Sequence, residues 1–362
     1  MSPQVYVLLG DGESPHLLKW ARALAQLPRF ELWACSSRGF LTAFDEVLPA
    51  RRRLALNTRP DAAGGNLALL RRLPRLVNWL RQVQPAWIHA HYLTSHGTLA
   101  WLAQSVYGVR GRIVGSAWGS DILVTPQRSA AMRWLTRRVL RACALCTSDS
   151  LVMAARMREL GAREVMVFPF GLEALPPPPG HKDDGLFFAN RGLEPIYAPE
   201  RVLDCFAAVA PASARLVVAN DGSLRPALEA RAQAQGLLPR VCFVGRLDAQ
   251  TQAAWYAQAR WYISLPRSDS VSVSVLEAMA HGCVPILSDL PANRELVQHG
   301  RNGVILDDTQ PLGPELLAPL LGRGDCVAAL NHRWVAEHAL FAPCVRTFVD
   351  RLRALTPATP TA

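Results

Sequence analysis

SLPRSDSVSVSVLEAMAHGCVPILSD, residues 264–289, reads as a strand end, a polar loop, a helix and a second buried strand. Asp269 lies in the loop and Glu277 follows eight positions later, on the helix. Ser268, Ser270, Ser272 and Ser274 crowd the turn between them. Hydroxyls and backbone N–H groups gathered at a helix start make an anion site, because the first N–H groups lack intrahelical partners and the helix dipole is positive there. An acid further along the same helix is placed to accept hydrogens from hydroxyls. The two features together point to a phosphate-linked sugar.

Around that stretch the chain runs to 362 residues, half of them apolar, which suits two domains of about 150–180 residues each. No window holds about 18 uninterrupted apolar residues, so no transmembrane helix is expected. The opening SPQVYVLLGDGESPH lacks a basic region ahead of its short apolar run and reads as a first strand rather than a signal peptide; a cytoplasmic location follows as the default expectation. Of the eight cysteines only Cys143 and Cys146 form a C-x-x-C pair, and with no second pair they read as small buried apolar residues.

Charge is distributed unevenly. Residues 1–175 carry 22 Lys+Arg against 11 Asp+Glu, whereas residues 176–362 carry 17 against 18. Arg51-Arg52-Arg53, Arg71-Arg72-Arg75 and Arg137-Arg138-Arg141 are the clusters. A one-sided basic half suits an anionic membrane surface, an anionic acceptor or nucleic acid, and the plainer alternative is a set of Arg-rich solvated helices. No nucleic-acid motif is present.

The first half alternates apolar runs with helical patterns. Val5–Leu9, Glu31–Ser36, Trp87–Ala90, Arg112–Ser116, Ala144–Ser148 and Val165–Phe168 read as strands. His16–Gln26, residues 66–83, Ser95–Tyr107 and Ala130–Arg141 read as helices. Residues 173–185, EALPPPPGHKDDG, break the pattern, since consecutive prolines cannot continue a sheet interior and form a stiff linker. The second half repeats the alternation, with strands at Leu186–Ala189, Arg215–Ala219, Val241–Val244, Trp261–Ser264 and Val284–Ser288 and helices at Glu200–Val209, Arg225–Gln235, Gln250–Ala259 and Val273–His281. The expectation is two doubly wound α/β domains, 1–172 and 186–330, each with a mostly parallel sheet and ligands at the carboxyl ends of its strands. Residues 331–362 read as a helix, which can cross back to the first domain, and a frayed TPATPTA tail.

Asp269-x7-Glu277 followed by AMAHGCVPILSD resembles the E-x7-E signature of retaining glycosyltransferases of family 4, which have the GT-B fold. Further matches run in order: WIHAHYLTSHGTLA (87–100), VGSAWGSDIL (114–123), CTSDS (146–150), VMVFPFGLE (165–173), FFANRGLEPIY (187–197), VCFVGRL (241–247) and PANRELVQHGRNGVIL (291–306). The resemblance covers roughly residues 1–310. It implies two Rossmann-like domains facing a central cleft, acceptor on the first and nucleotide-sugar on the second. Glu277 would hold the nucleotide ribose, Asp269 the donor-sugar hydroxyls and Arg191 the diphosphate, with Ser270, Ser272 and Val273 at the helix start. The fixed fork of an arginine and preorganised N–H groups suit a leaving diphosphate whose charge grows in the transition state.

The chain departs from the family in three places. The first acid is Asp rather than Glu. Many members carry a Lys five residues after the Arg, where this chain has Ile196; Arg246 and Arg267 are candidate substitutes or plain surface charge. Trp118 stands where the family often has His, so it can stack on a sugar ring but cannot do acid–base work. Asp121 matches the family's Asp and either binds acceptor or caps a turn. Gly10, Asp11 and Gly12 are expected in the first strand-to-helix loop, where glycines permit close approach of the donor. His89, His91 and His96 lack the acidic or Cys partners of a metal set, and His91 is the expected acceptor-side histidine.

The implied activity is retaining transfer from a UDP- or GDP-sugar to a glycan or lipid-linked acceptor hydroxyl, in bacterial cell-surface polysaccharide or glycolipid synthesis. No cofactor or metal is expected, and neither is nucleic acid. A peripheral position on the inner membrane face is expected from the basic half. The competing reading is a catalytically inactive GT-B-fold protein that binds sugar or nucleotide.

Overall fold

A computed structural model describes residues 3–58, 67–307, 309 and 311–355. They form two compact units, one comprising the chain through Phe168 together with the Phe341–Leu355 helix, the other Pro169–Leu340.

In the first unit, β1 (Gln4–Gly12), β2 (Phe30–Phe40), β3 (Arg53–Ala55), β4 (Trp87–His91), β5 (Arg112–Ser116), β6 (Cys143–Ser148) and β7 (Val165–Val167) make a parallel sheet in the order β3-β2-β1-β4-β5-β6-β7. In the second, β8 (Asp183–Ala189), β9 (Arg215–Ala219), β10 (Val241–Gly245), β11 (Ala259–Ser264), β12 (Val284–Ser288) and β13 (Val304–Leu306) pair in parallel in the order β10-β9-β8-β11-β12-β13. Parallel sheets need both faces covered, so their strands are buried throughout: every residue of β4, β11 and β12 is buried, His89, His91 and Arg260 included. The order reverses between β1 and β4 in the first sheet and between β8 and β11 in the second, which leaves a crevice beyond the carboxyl ends at each reversal.

Helix starts follow the capping residues. The side chains of Ser14, Ser129, Ser150 and Asp248 accept from backbone N–H groups at the starts of Pro15–Ala25, Ala130–Ala142, Leu151–Glu159 and Ala249–Gln258. The 66–83 pattern is two helices, Leu67–Leu70 and Leu73–Val83, the second with Pro74 in its first turn, a position that tolerates proline; position 66 lies outside the described residues. Ser95–Tyr107 is likewise divided, into a turn at Leu93–Gly97 and a helix at Thr98–Ser105.

The C-terminal pattern is also two helices, Gly324–His338 and Phe341–Leu355. Phe341 and Phe348 of the latter set their rings 5.1 and 5.2 Å from Trp20, and Arg351 pairs with Glu164 at 2.7 Å, which ties this last helix to the first unit. The units part at 168/169 rather than 172, and β8 begins at Asp183, inside the stretch read as linker. The TPATPTA tail lies outside the described residues.

Candidate functional site

The second sheet's reversal brings together the loop after β8, with Asn190 and Arg191, and the loop and helix after β11, with Asp269 and Val273–Ala280. Arg191 is held on three sides. Its Nη2 donates to Asp269 Oδ2 at 2.6 Å, its Nη1 donates to the Ser272 hydroxyl and to Ser274 Oγ at 3.3 Å, and its guanidinium lies 4.3 Å from the Tyr197 ring. Burial works against the charged guanidinium, but Asp269 and the surrounding tyrosines hold it above its ordinary value. For Asp269 burial wins: it pushes the carboxyl up against the pull of Arg191 and the Ser270 N–H. The expected contact of Asp269 with donor hydroxyls therefore has a competitor already in place.

Ser272 occupies the cap position of the Val273–Ala280 helix, yet its own side chain makes no cap hydrogen bond. The Ser272 hydroxyl is engaged by Arg191 and lies 2.8 Å from Ser274 Oγ instead. The helix thus presents its first N–H groups beside a fixed cation, with Ser270 and Ser272 buried.

A buried network, which the sequence reading missed, supports both loops. The Asn190 amide nitrogen donates to the Tyr256 hydroxyl at 2.7 Å, and the Tyr262 hydroxyl lies 2.8 Å from Asn190 Oδ1 and 2.9 Å from Ser274 Oγ. The Tyr256 hydroxyl is 3.1 Å from both Glu277 Oε2 and the Ser274 carbonyl, and Gln252 Nε2 donates to Glu277 at 3.3 Å. Burial pushes Tyr262 up to about 12 and Tyr256 well above its ordinary value, so both phenols are neutral donors. Asn190 sits beside Arg191 and was within reach of a sequence reading. Tyr256 and Tyr262 look like core aromatics until their partners are known.

The remaining cations do not join this cluster. Arg267 is 70 % exposed and turns to Glu200 at 3.3 Å; Arg246 is exposed after β10, the edge strand two places from β8. Ile196 is half-exposed. Lys182 is buried under Tyr256, its Nζ 2.6 Å from that residue's carbonyl oxygen, where it serves packing rather than a ligand.

In the first unit the expectation for Gly10 and Gly12 is corrected: both belong to β1, which runs three residues beyond the strand read from the sequence. A Cβ on Gly12 would stand 2.5 Å from the Gly39 carbonyl oxygen, and one on Gly10 would stand 2.8 Å from Leu17. Close packing against β2 and the following helix requires these glycines. Asp121 makes the contacts of the turn-capping alternative. It is fully buried, Oδ1 accepts from Trp118 N at 2.9 Å and Oδ2 from Leu93 N at 2.8 Å, so its carboxylate fastens two loops. Burial raises it to about 6 despite those N–H groups. Trp118, half-buried, lies 4.7 Å from the His16 ring and 5.9 Å from the His91 ring. His91 is buried at the end of β4.

Two family models match the chain: "Glycosyl transferase 4-like" over residues 7–150 and "Glycosyl transferases group 1" over residues 184–318. Over 99 residues it is 31 % and 30 % identical to the GDP-mannose:cellobiosyl-diphosphopolyprenol alpha-mannosyltransferases of Xanthomonas campestris and Xanthomonas oryzae. That match spans 26 % of the chain and only 25 % of each relative's length. Among solved structures, the Anabaena protein HepE in complex with UDP and glucose superposes with a TM-score of 0.77 at 14 % identity, over 97 % of this chain and 100 % of HepE. Sucrose-phosphate synthase from Thermosynechococcus elongatus gives 0.77 at 15 % identity, over 98 % and 100 %.

Proposed function

The chain belongs to the family 4, group 1 glycosyltransferases with their two-domain GT-B fold, and from that premise we propose that it moves a sugar from a UDP- or GDP-sugar to a hydroxyl of a glycan or lipid-linked acceptor, with retention at the anomeric carbon and without a metal. The second unit takes the donor and the first the acceptor.

One observation carries the reading: Arg191, immobilised by Asp269, Ser272 and Ser274, stands at the start of a helix that bears Glu277 on its second turn and whose cap residue, Ser272, turns its hydroxyl to Arg191 rather than to the helix N–H groups. Breaking the anomeric C–O bond loads negative charge onto the diphosphate. A cation and N–H groups already oriented before that moment stabilise the charge at little reorganisation cost. Glu277, steered by Tyr256 and Gln252, accepts from the ribose hydroxyls. The acceptor oxygen attacks on the face the diphosphate leaves, and its proton passes to a departing phosphate oxygen, so no carboxylate nucleophile is required.

The donor choice is supported by HepE, solved with UDP, and by the curated relatives, named for GDP-mannose. The relatives' diphosphopolyprenol acceptor supports a lipid-linked substrate and a role in bacterial surface polysaccharide. Arg71, Arg72, Arg75, Arg137, Arg138 and Arg141 are exposed, with Trp134 53 % exposed among them, which suits an anionic lipid surface. Among the described residues no helix is long and apolar enough to cross a membrane.

The test is a thermal-shift and labelled-sugar transfer screen with UDP-, GDP- and ADP-sugars. A donor raises the melting temperature by mass action, and Glu277→Ala abolishes the rise. Ile196 at the usual Lys position favours a second reading, a nucleotide-binding protein without turnover. A thermal shift without transfer to any lipid-linked or glycan acceptor would select that reading.

A further inference from the structure

Arg191 and Glu277 are joined by a buried run of hydrogen bonds whose direction is fixed residue by residue. Its middle members come from three elements: Asn190 follows β8, Tyr262 lies on β11 and Tyr256 on the Ala249–Gln258 helix. They are 7, 0 and 1 % exposed, so their polar groups have to satisfy one another. Burial holds Tyr256 well above its ordinary value, and it keeps its phenolic proton. The Tyr256 oxygen is 3.1 Å from the Ser274 carbonyl oxygen and 3.1 Å from Glu277 Oε2, which only accept, so that proton points to them. Tyr256 then has only lone pairs for Asn190, 2.7 Å away, and Asn190 turns its amide nitrogen that way. Asn190 Oδ1 therefore faces Tyr262, whose hydroxyl donates to it at 2.8 Å. With its proton spent, Tyr262 accepts from Ser274 Oγ at 2.9 Å. Ser274 accepts from Ser272 Oγ at 2.8 Å and from Arg191 Nη1 at 3.3 Å, and Ser272 accepts from Arg191.

Every donor thus points the same way, from the Arg191 guanidinium through Ser272, Ser274, Tyr262, Asn190 and Tyr256 to the Glu277 carboxylate. Hydrogen bonds aligned in this way polarise one another in a low-dielectric interior. Asn190 is the member on which the alignment turns. A flipped amide would present Oδ1 to Tyr256 and draw its proton off Glu277, and would present Nδ2 to Tyr262 and release that proton toward Ser274. The Tyr262 hydroxyl, by occupying Asn190 Oδ1 as a donor, holds the amide against that flip. The two ends of the run are the groups assigned to the two ends of a nucleoside diphosphate, the cation for the diphosphate and the acid for the ribose.

We propose that Asn190 and Tyr262 are positioning residues that couple the diphosphate cation to the ribose acid, so that removing the Tyr262 hydroxyl, three hydrogen bonds away from Glu277, changes ribose recognition. The proposal rests on the donor reading of this site and deepens it: diphosphate and ribose are recognised as one unit, because the groups that hold them share one hydrogen-bond direction. Loss of the Tyr262 hydroxyl leaves Asn190 Oδ1 without its donor and the Ser274 hydroxyl without its acceptor. The amide can then turn, and Glu277 loses the donor that orients it. A tyrosine that served packing alone would cost stability when its hydroxyl is removed and leave the preference for a ribose unchanged.

The experiment is titration calorimetry of the full chain with UDP, GDP and the 2′,3′-dideoxy form of each, beside urea unfolding of the same samples. The wild type is expected to bind at least one of the two diphosphates, and to bind its dideoxy form about tenfold more weakly, since Glu277 loses the hydroxyls it accepts from. Tyr262→Phe removes one oxygen and keeps the ring; it weakens the ribose form and brings the ribose-to-dideoxy ratio to within about twofold. Tyr256→Phe, at the Glu277 end of the run, does the same. Phe187→Leu removes packing from the core of the same unit, lowers the urea midpoint and leaves the ratio at its wild-type value. A wild-type ratio in either tyrosine variant, or a ratio lost equally in Phe187→Leu, would overturn the coupling while the donor site stands. Equal binding of ribose and dideoxy forms by the wild type would take Glu277 off the ribose and overturn the coupling as well. Binding of neither diphosphate by the wild type would sink the donor reading itself, and the coupling with it.

Discussion

The two sheets reverse their strand order in the same way, yet the chemistry at the two reversals is opposite. At β8/β11 charge is concentrated and already paired: Arg191 with Asp269 at 2.6 Å, the helix-start serines around it, and Glu277 steered by a phenol and an amide. At β1/β4 the polar groups include imidazoles held neutral by burial, and of the neighbouring carboxylates Asp121 is fully buried and bonded to backbone while Asp11, at the end of β1, lies 3.5 Å from Arg38. The arrangement at β8/β11 suits the diphosphate proposed for it, which needs cations and N–H donors oriented in advance; the imidazoles at β1/β4 are held neutral by burial.

Variants test that contrast most severely at Arg191. Arg191→Ala is expected to lower turnover by about 10²–10³, the usual effect of removing one oriented donor from a developing anion; Arg191→Lys recovers little, because an ammonium cannot reproduce the fork to Asp269 and the serines. Labelled-sugar transfer at saturating donor measures it, and turnover within threefold of wild type would break the assignment of charge to this side.

The neutrality of the first side is checked by acid. His89 and His96 titrate at about 3 and about 4 in the folded chain, and His91 well below its ordinary 6.5. Their folded values are depressed, so the unfolded chain takes up protons first as pH falls below about 6.5. Stability is then lost between there and about 4, at up to about 1.4 kcal/mol per pH unit for each ring. Asp121 has the opposite sign. Its folded value of about 6 lies above the unfolded one, so it gains stability as pH falls from about 6 to 4, and Asp269, also raised by burial, acts in the same direction; these two gains do not offset the losses of His89, His91, His96 and His281, the last held down at about 4. Urea midpoints from pH 7 to 4 should therefore fall steadily; a flat profile would mean the imidazoles are not held neutral.

Asp121→Ala leaves the Trp118 and Leu93 N–H groups without their acceptor, a cost of about 2 kcal/mol read as a lower urea midpoint, while nucleotide affinity stays unchanged because the fault lies in the other unit. Arg267→Ala is expected to do least. The side chain is 70 % exposed and paired outward with Glu200, so donor KM should shift by less than twofold; a tenfold rise would return Arg267 to the list of phosphate ligands.

Much of the fold was legible because strand–helix alternation is local. Arg112–Ser116, Arg215–Ala219 and Val284–Ser288 coincide with the strands read from their apolar runs. Arg53–Ala55 and Val304–Leu306 were not read, since each is three residues long and is defined by pairing with β2 or β12. The Leu151–Glu159 helix was missed as well, although Ser150 caps it and stood in plain view. Asp269 and Glu277 stood out by residue type and spacing and Arg191 through the family resemblance, and the structure brings Arg191 and Asp269 into contact.

The amino-acid sequence by itself determined the two doubly wound units, the basic and near-neutral halves, and the pairing of a serine-rich helix start with an acid on its second turn. These rest on periodicity and short spacings, which neighbours in sequence set. Only the tertiary structure decided that Asp269 faces Arg191, that Gly12 is packed against the Gly39 carbonyl, that Asp121 holds loops, and that His89 is satisfied while His91, two residues on, is not. Desolvation and hydrogen-bond partnership depend on residues tens of positions away in the chain: Tyr6 and Ser116 for His89, Arg191 for Asp269, Leu93 for Asp121.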